Sequence, residues 1–116
     1  MAIYTYPFSD RYQVRGTNNP VLVSVFIGNG QGGSYSIYKN DVFLAGNESA
    51  NLGSADSCRN NTLRVSSTIQ DKLSQTNWTS VTVVINEDGE TTSFTYSREL
   101  PQDNDIARYK ITIEMS

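Results

Sequence analysis

Trp78 is the only tryptophan in the chain, and it stands beside Asn77 and Gln75 in the stretch "LSQTNW". A flat ring next to two amides is the chemistry of contact: the ring stacks on an apolar face and the amides orient a polar ligand. A second stretch, "RELPQDND", brings Arg98, Asp103 and Asp105 close together in sequence. Clustered loop carboxylates suit a hard cation such as calcium, but a full site needs six or more oxygens and the EF-hand spacing is absent. We therefore assign no metal and no other cofactor. Asp103 and Asp105 join Arg98, Gln75, Asn77 and Trp78 as candidate ligand-binding residues.

A third stretch, "GNGQGG", carries Gly28, Gly30 and Gly33 in the spacing of a dinucleotide fingerprint. That fingerprint works only when a helix N-terminus follows to receive a pyrophosphate. Here Ser34 to Tyr38 alternate like a strand, so the glycines read as a connection, or at most as a backbone nest for an anion or a sugar hydroxyl.

Other chemistries are closed by residue type. There is no histidine, which removes Ser-His-Asp and Cys-His catalysis and the usual zinc sites. Cys58 is alone and has no disulfide partner in the chain. The acids fall in turns, where a glycosidase would need two of them across a cleft, so no catalytic residue is assigned and an enzyme ranks third. The nine Lys and Arg residues are scattered singly, and the net charge is −3. With no basic run and no basic face expected, nucleic acid is not an expected partner. No apolar stretch is long enough to enter a membrane as a helix. No segment resembles a signal peptide, which leaves the compartment open between the cytoplasm and a secreted or surface form whose leader has been removed. The sequons at Asn47, Asn60 and Asn77 matter only on a eukaryotic secretory route.

The elements that must position these residues are strands. Residues 107–115 alternate cleanly, with Ala107, Tyr109, Ile111, Ile113 and Met115 on one face. Residues 62–70 repeat the pattern. "PVLVSVFI" is apolar on both faces, as expected of a central strand. Around Asp88-Gly89, pairing residues whose numbers sum to 177 sets Val81, Val83 and Ile85 against Tyr96, Phe94 and Thr92, all on one face. A one-residue slip would mix the faces. Asp-Gly supplies the positive φ of a type I′ turn. Its one flaw is Glu87 opposite Glu90, a like-charge pair costing about a few tenths of a kcal/mol. Weaker strands are expected at 2–8, 11–15, 34–39 and 42–45, with a single helical turn at Asp71–Ser74.

At 116 residues, with no linker or repeat, the chain reads as one domain. About seven to nine short strands predict an all-β, antiparallel β-sandwich, immunoglobulin-like or lectin-like, with a small barrel as second choice. If the chain reverses at every connection, residues 16–20, 39–41, 71–79 and 98–106 share one end. Residues 28–33, 46–61 and 86–90 then share the other. The expectation is a non-catalytic binding module for a carbohydrate or protein ligand around Trp78. Its rival is an assembly subunit that self-associates as a homo-oligomer through an edge strand, or through an aromatic patch of Tyr4, Tyr6, Phe8, Tyr12, Tyr35 and Tyr38.

Overall fold

A computed structural model describes all residues, Met1–Ser116. Nine strands form two sheets: β1 (Ile3–Tyr12), β2 (Pro20–Ile27), β3 (Gly32–Lys39), β4 (Val42–Gly46), β5 (Ala50–Ser54), β6 (Thr62–Gln70), β7 (Trp78–Glu87), β8 (Glu90–Glu99) and β9 (Ile106–Met115). One sheet runs β1-β9-β6-β3-β4 and the other β5-β2-β7-β8. The sheets pack as a sandwich and do not close into a barrel, so β1, β4, β5 and β8 are edges. All pairings are antiparallel except β1 with β9, which is parallel.

Period-two alternation explains the core. Of the inward residues, Val23 and Val25 of β2 stand opposite Ile85 and Val83 of β7, with Val21 opposite Glu87 and Val81 opposite Ile27. Val21, Val23, Val25, Val81, Val83 and Ile85 are all buried. The facing sheet supplies Leu63, Val65, Ile69, Ile111 and Ile113. Tyr109 is fully buried at the centre, and its hydroxyl is satisfied by Thr79 Oγ1 at 2.7 Å and by the Thr79 carbonyl at 3.1 Å. The β7–β8 hairpin has the predicted register throughout, including Val83 opposite Phe94 and Glu87 opposite Glu90. Asp88 and Gly89 both take positive φ, 54° and 80°, as a type I′ turn demands.

Several expectations are corrected. Residues 2–8 and 11–15 are not two strands: β1 runs unbroken from Ile3 to Tyr12. Asp71–Ser74 is not helical; the one short helix, α1, is Ala55–Cys58, with the Ser54 hydroxyl at its N-cap. β2 is central in its sheet, yet its second face is open, leaving Leu22 and Phe26 exposed.

The largest correction concerns the ends. The sequence does not predict β5, because "ANLGS" carries only Ala50 and Leu52 inward, with Asn51 between them and Gly53 after. One extra strand reverses the direction of everything before it. The connection 28–31 therefore lies with 71–77 and 100–105, while 13–19 and 40–41 lie at the opposite end with α1 and the Asp88-Gly89 turn. Gly33 also gains an ordinary explanation: a Cβ there would come within 2.5 Å of the Thr68 carbonyl on the paired strand.

Candidate ligand-binding end

The end that carries Trp78 is built on a buried amide. Gln31, in the β2–β3 connection, donates from Nε2 to Asp71 Oδ1 at 2.8 Å and accepts at Oε1 from the Lys72 N–H at 3.2 Å. Asp71 is fully buried. The Asn77 amide, with its nitrogen toward the carboxylates, donates to Asp71 Oδ2 at 2.7 Å and to Asp103 Oδ1 at 2.6 Å. Backbone bonds complete the frame: Asp71 N–H to the Asp105 carbonyl, Asn104 N–H to the Asp71 carbonyl, and Leu100 N–H to the Asn77 carbonyl. Three loops from three different connections are thus tied around one buried carboxylate, an arrangement that suits a rigid platform.

Trp78 rises from this frame as the first residue of β7. Its parity is opposite to Thr79, Val81 and Val83, so it leaves the core face, and 47% of it is exposed. Ser80 and Thr82 follow on the same outward face. β2 lies alongside, with Phe26 opposite Thr82 and the Gly28 N–H bonded to the Ser80 carbonyl. Phe26 is 59% exposed. Four residues of strand rise and one strand spacing separate the two aromatics by roughly 14 Å. Between them lie small and hydroxylated residues, Gly28, Ser80 and Thr82; Thr95 of β8, on the far side of β7 from Phe26, pairs to Thr82 through hydroxyls at 3.0 Å. Asn29 Nδ2 donates to Ser80 Oγ at 3.1 Å, fixing one of those hydroxyls.

The six candidate residues divide. Trp78 and Gln75 are exposed at this end. Asn77 and Asp103 sit beside Trp78, with their polar groups turned to each other and to Asp71. Asp105 is buried, and its carboxylate accepts the Ala2 N–H at 2.9 Å and the Gln102 N–H at 3.2 Å, clipping the start of β1 to the loop before β9. Asp103 and Asp105 therefore hold different partners and do not converge. Arg98 pairs with Thr79 and stands on the opposite side of its sheet from Trp78, its guanidinium 4.5 Å from the Phe8 ring centre and 5.8 Å from that of Tyr6. Sequence reasoning missed Gln31 and Phe26. Phe26 was legible from parity, since Leu22, Ser24 and Phe26 alternate with the three core valines; the buried role of Gln31 left no local signal.

The aromatic residues of β1 do not form an outer patch. Phe8 packs against Tyr96 and Tyr109, Tyr6 packs against Tyr109, and the Tyr12 ring is buried. Cys58 is buried too; burial pushes its thiol up, which keeps it in the unreactive form.

The opposite end is organised by Glu87, which sequence reasoning treated as a turn residue in a repulsive pair. Glu87 is 1% exposed. Its carboxylate accepts from the Tyr12 hydroxyl at 2.8 Å, the Arg15 N–H at 2.9 Å, the Gly16 N–H at 2.6 Å and Asn19 Nδ2 at 2.9 Å. Burial alone would push this carboxyl up, but the hydrogen bonds from Arg15, Asn19, Gly16 and Tyr12 outweigh it and hold it at about 2. Glu90 points away and pairs with the Arg15 guanidinium, so the repulsion is removed.

The chain matches no protein-family model, no curated protein and no solved structure.

Proposed function

We propose that this protein is a non-catalytic binding module that takes a carbohydrate, or another surface ligand of similar build, on the outward face between Trp78 and Phe26. The observation that carries this reading is a half-exposed tryptophan standing on a frame of buried hydrogen bonds. An ordered ring loses little freedom when a ligand stacks on it, and the flanking hydroxyls of Ser80, Thr82 and Thr95 offer both donors and acceptors. A glycan array identifies the ligand, and indole fluorescence tests the site, because Trp78 is the only indole. Its emission in the free protein should lie to the red of a buried indole and should respond to an aqueous quencher. The bound ligand should protect it, and Trp78→Ala should remove most of the binding while the fold persists. An emission that ligand leaves unchanged, with affinity intact in Trp78→Ala, would refute the reading.

A second reading is self-association, favoured by the edge strand β4. Its residues Val42, Phe43 and Leu44 are 64%, 57% and 37% exposed, with neither charge nor proline among them to discourage pairing. Light scattering at rising concentration separates the two readings: a Leu44→Lys change should abolish a dimer formed through this edge and leave glycan binding untouched.

A further inference from the structure

The outer face of the five-stranded sheet is chemically unlike the Trp78 face. Residues that look scattered in sequence are collected by strand register. Arg64 on β6 stands opposite Thr112 on β9, and Lys110 stands opposite Ser66. Arg108 stands opposite Thr68. All three cations are exposed and share the outward parity, the inward positions being Leu63, Val65, Tyr109 and Ile111. Arg64 and Lys110 are diagonal neighbours, with Cα atoms roughly 7–8 Å apart. The expectation of no basic face is corrected here.

Acids are nearly absent from the centre of this face. Asp41 lies 3.7 Å from Arg64 at one margin. Glu114 is opposite Arg11 of β1 at another. No acid lies within ion-pair distance of Arg108 or Lys110. Lys110 Nζ instead donates to Ser66 Oγ at 2.9 Å. The chain as a whole carries a net charge of −3, so this positive field is local and set against an acidic background. Tyr38, Arg64, Ser66, Lys110 and Thr112 line a cleft of about 240 Å³. Ser34, Ser36 and Thr68 continue the hydroxyl surface beyond it.

We infer that this face is a second binding surface, for a linear anionic polysaccharide bearing sulfate or carboxylate groups. Charge complementarity selects an anion. The cleft is smaller and more open than the pockets that enclose small ligands, which selects an extended polymer. Between the cations stand hydroxyls that can exchange hydrogen bonds with a sugar's own hydroxyls. Three cations, one of them already paired with Asp41, are few for a duplex, and Tyr38 is the one aromatic ring among them, already packed against Phe43.

The surface lies across the sandwich from Trp78, so the inference does not depend on the proposed function. The test uses dextran sulfate as probe, with neutral dextran and duplex DNA as comparators, at 50 mM salt. Dextran sulfate should bind and neutral dextran should not. Arg108→Gln combined with Lys110→Gln should weaken binding at least tenfold with an unchanged thermal midpoint, since neither side chain enters the core. Trp78→Ala and Lys72→Gln, which lie off this face, should leave the affinity as it is. Raising salt to 200 mM should cost about tenfold or more, as expected for about three neutralised anions. The inference is overturned if dextran sulfate fails to bind, if the double variant binds as well as the parent, if Trp78→Ala or Lys72→Gln causes an equal loss, or if duplex DNA binds as tightly.

Discussion

Each end of the sandwich is closed around a buried carboxylate, and the two are used differently. Glu87 is surrounded by four donors from a single segment, residues 12–19, and that segment folds over it. Asp71 is held by two side-chain amides, from Gln31 and Asn77, that arrive from different connections. At the Glu87 end the network latches one loop onto the core. At the Asp71 end the network ties three loops together and leaves Trp78 projecting from them. A buried carboxyl group held by one segment, through two backbone N–H groups and two side chains, is a closing device; one held by side-chain amides from different connections can carry a platform.

Four measurements break or sharpen that contrast. The largest effect is expected from Glu87→Gln. It replaces an acceptor-only carboxylate with an amide whose N–H₂ faces existing donors, and should cost about 3 kcal/mol or more in denaturant unfolding. A cost near zero would remove Glu87 from its role as latch.

Acid should reproduce nearly the same loss without mutation. The folded-state value of Glu87 is about 2 against an ordinary 4.5. The unfolded chain therefore takes up the proton first as pH falls. This contribution is fully present above pH 4.5, declines below it and is gone below pH 2, about 3 kcal/mol in all. The Glu87→Gln variant should lack that part of the acid dependence, and parallel pH profiles for the two proteins would contradict the assignment.

Asp71→Asn should cost less, about 1–3 kcal/mol, because two side-chain amides meet this carboxyl group where four donors meet Glu87. It should also increase quenching of Trp78 by an aqueous quencher, since the loop beneath the ring is loosened. Glu87→Gln, at the far end, should leave that quenching unchanged. If both variants alter the indole equally, the ends are not independent.

Trp78→Ala should be the mildest for stability, within about 0.5 kcal/mol, as for an exposed side chain outside the core. A loss of several kcal/mol would make the ring a structural lid and transfer the leading functional reading to the β4 edge.

The sandwich was legible because alternation is a local property. Ala107 to Met115 and Thr62 to Ile69 declare their faces residue by residue. The β7–β8 register follows from Asp88-Gly89 together with the requirement that Val83 and Phe94 share a face. Trp78 was placed outward by the same parity. β5 was not legible, since five residues with Gly53 and Asn51 among them carry too little alternation to register as a strand. That single omission moved the 28–31 connection to the wrong end and hid Gln31 from its partner Asp71.

The chain alone thus determined the fold class, the core residues of its strongest strands, the hairpin register and the outward parity of Trp78. Each of these depends on neighbours within a few residues or across one tight turn. Only the tertiary structure decided that Glu87 is a latch and not a repelled turn residue, that Arg98 lies on Phe8, that the β1 aromatics pack inward and that Arg64, Arg108 and Lys110 form one face. Those outcomes depend on which strand lies beside which and at which end each loop emerges. Strand order is set by the joint burial of all nine strands, and no single stretch of residues encodes it.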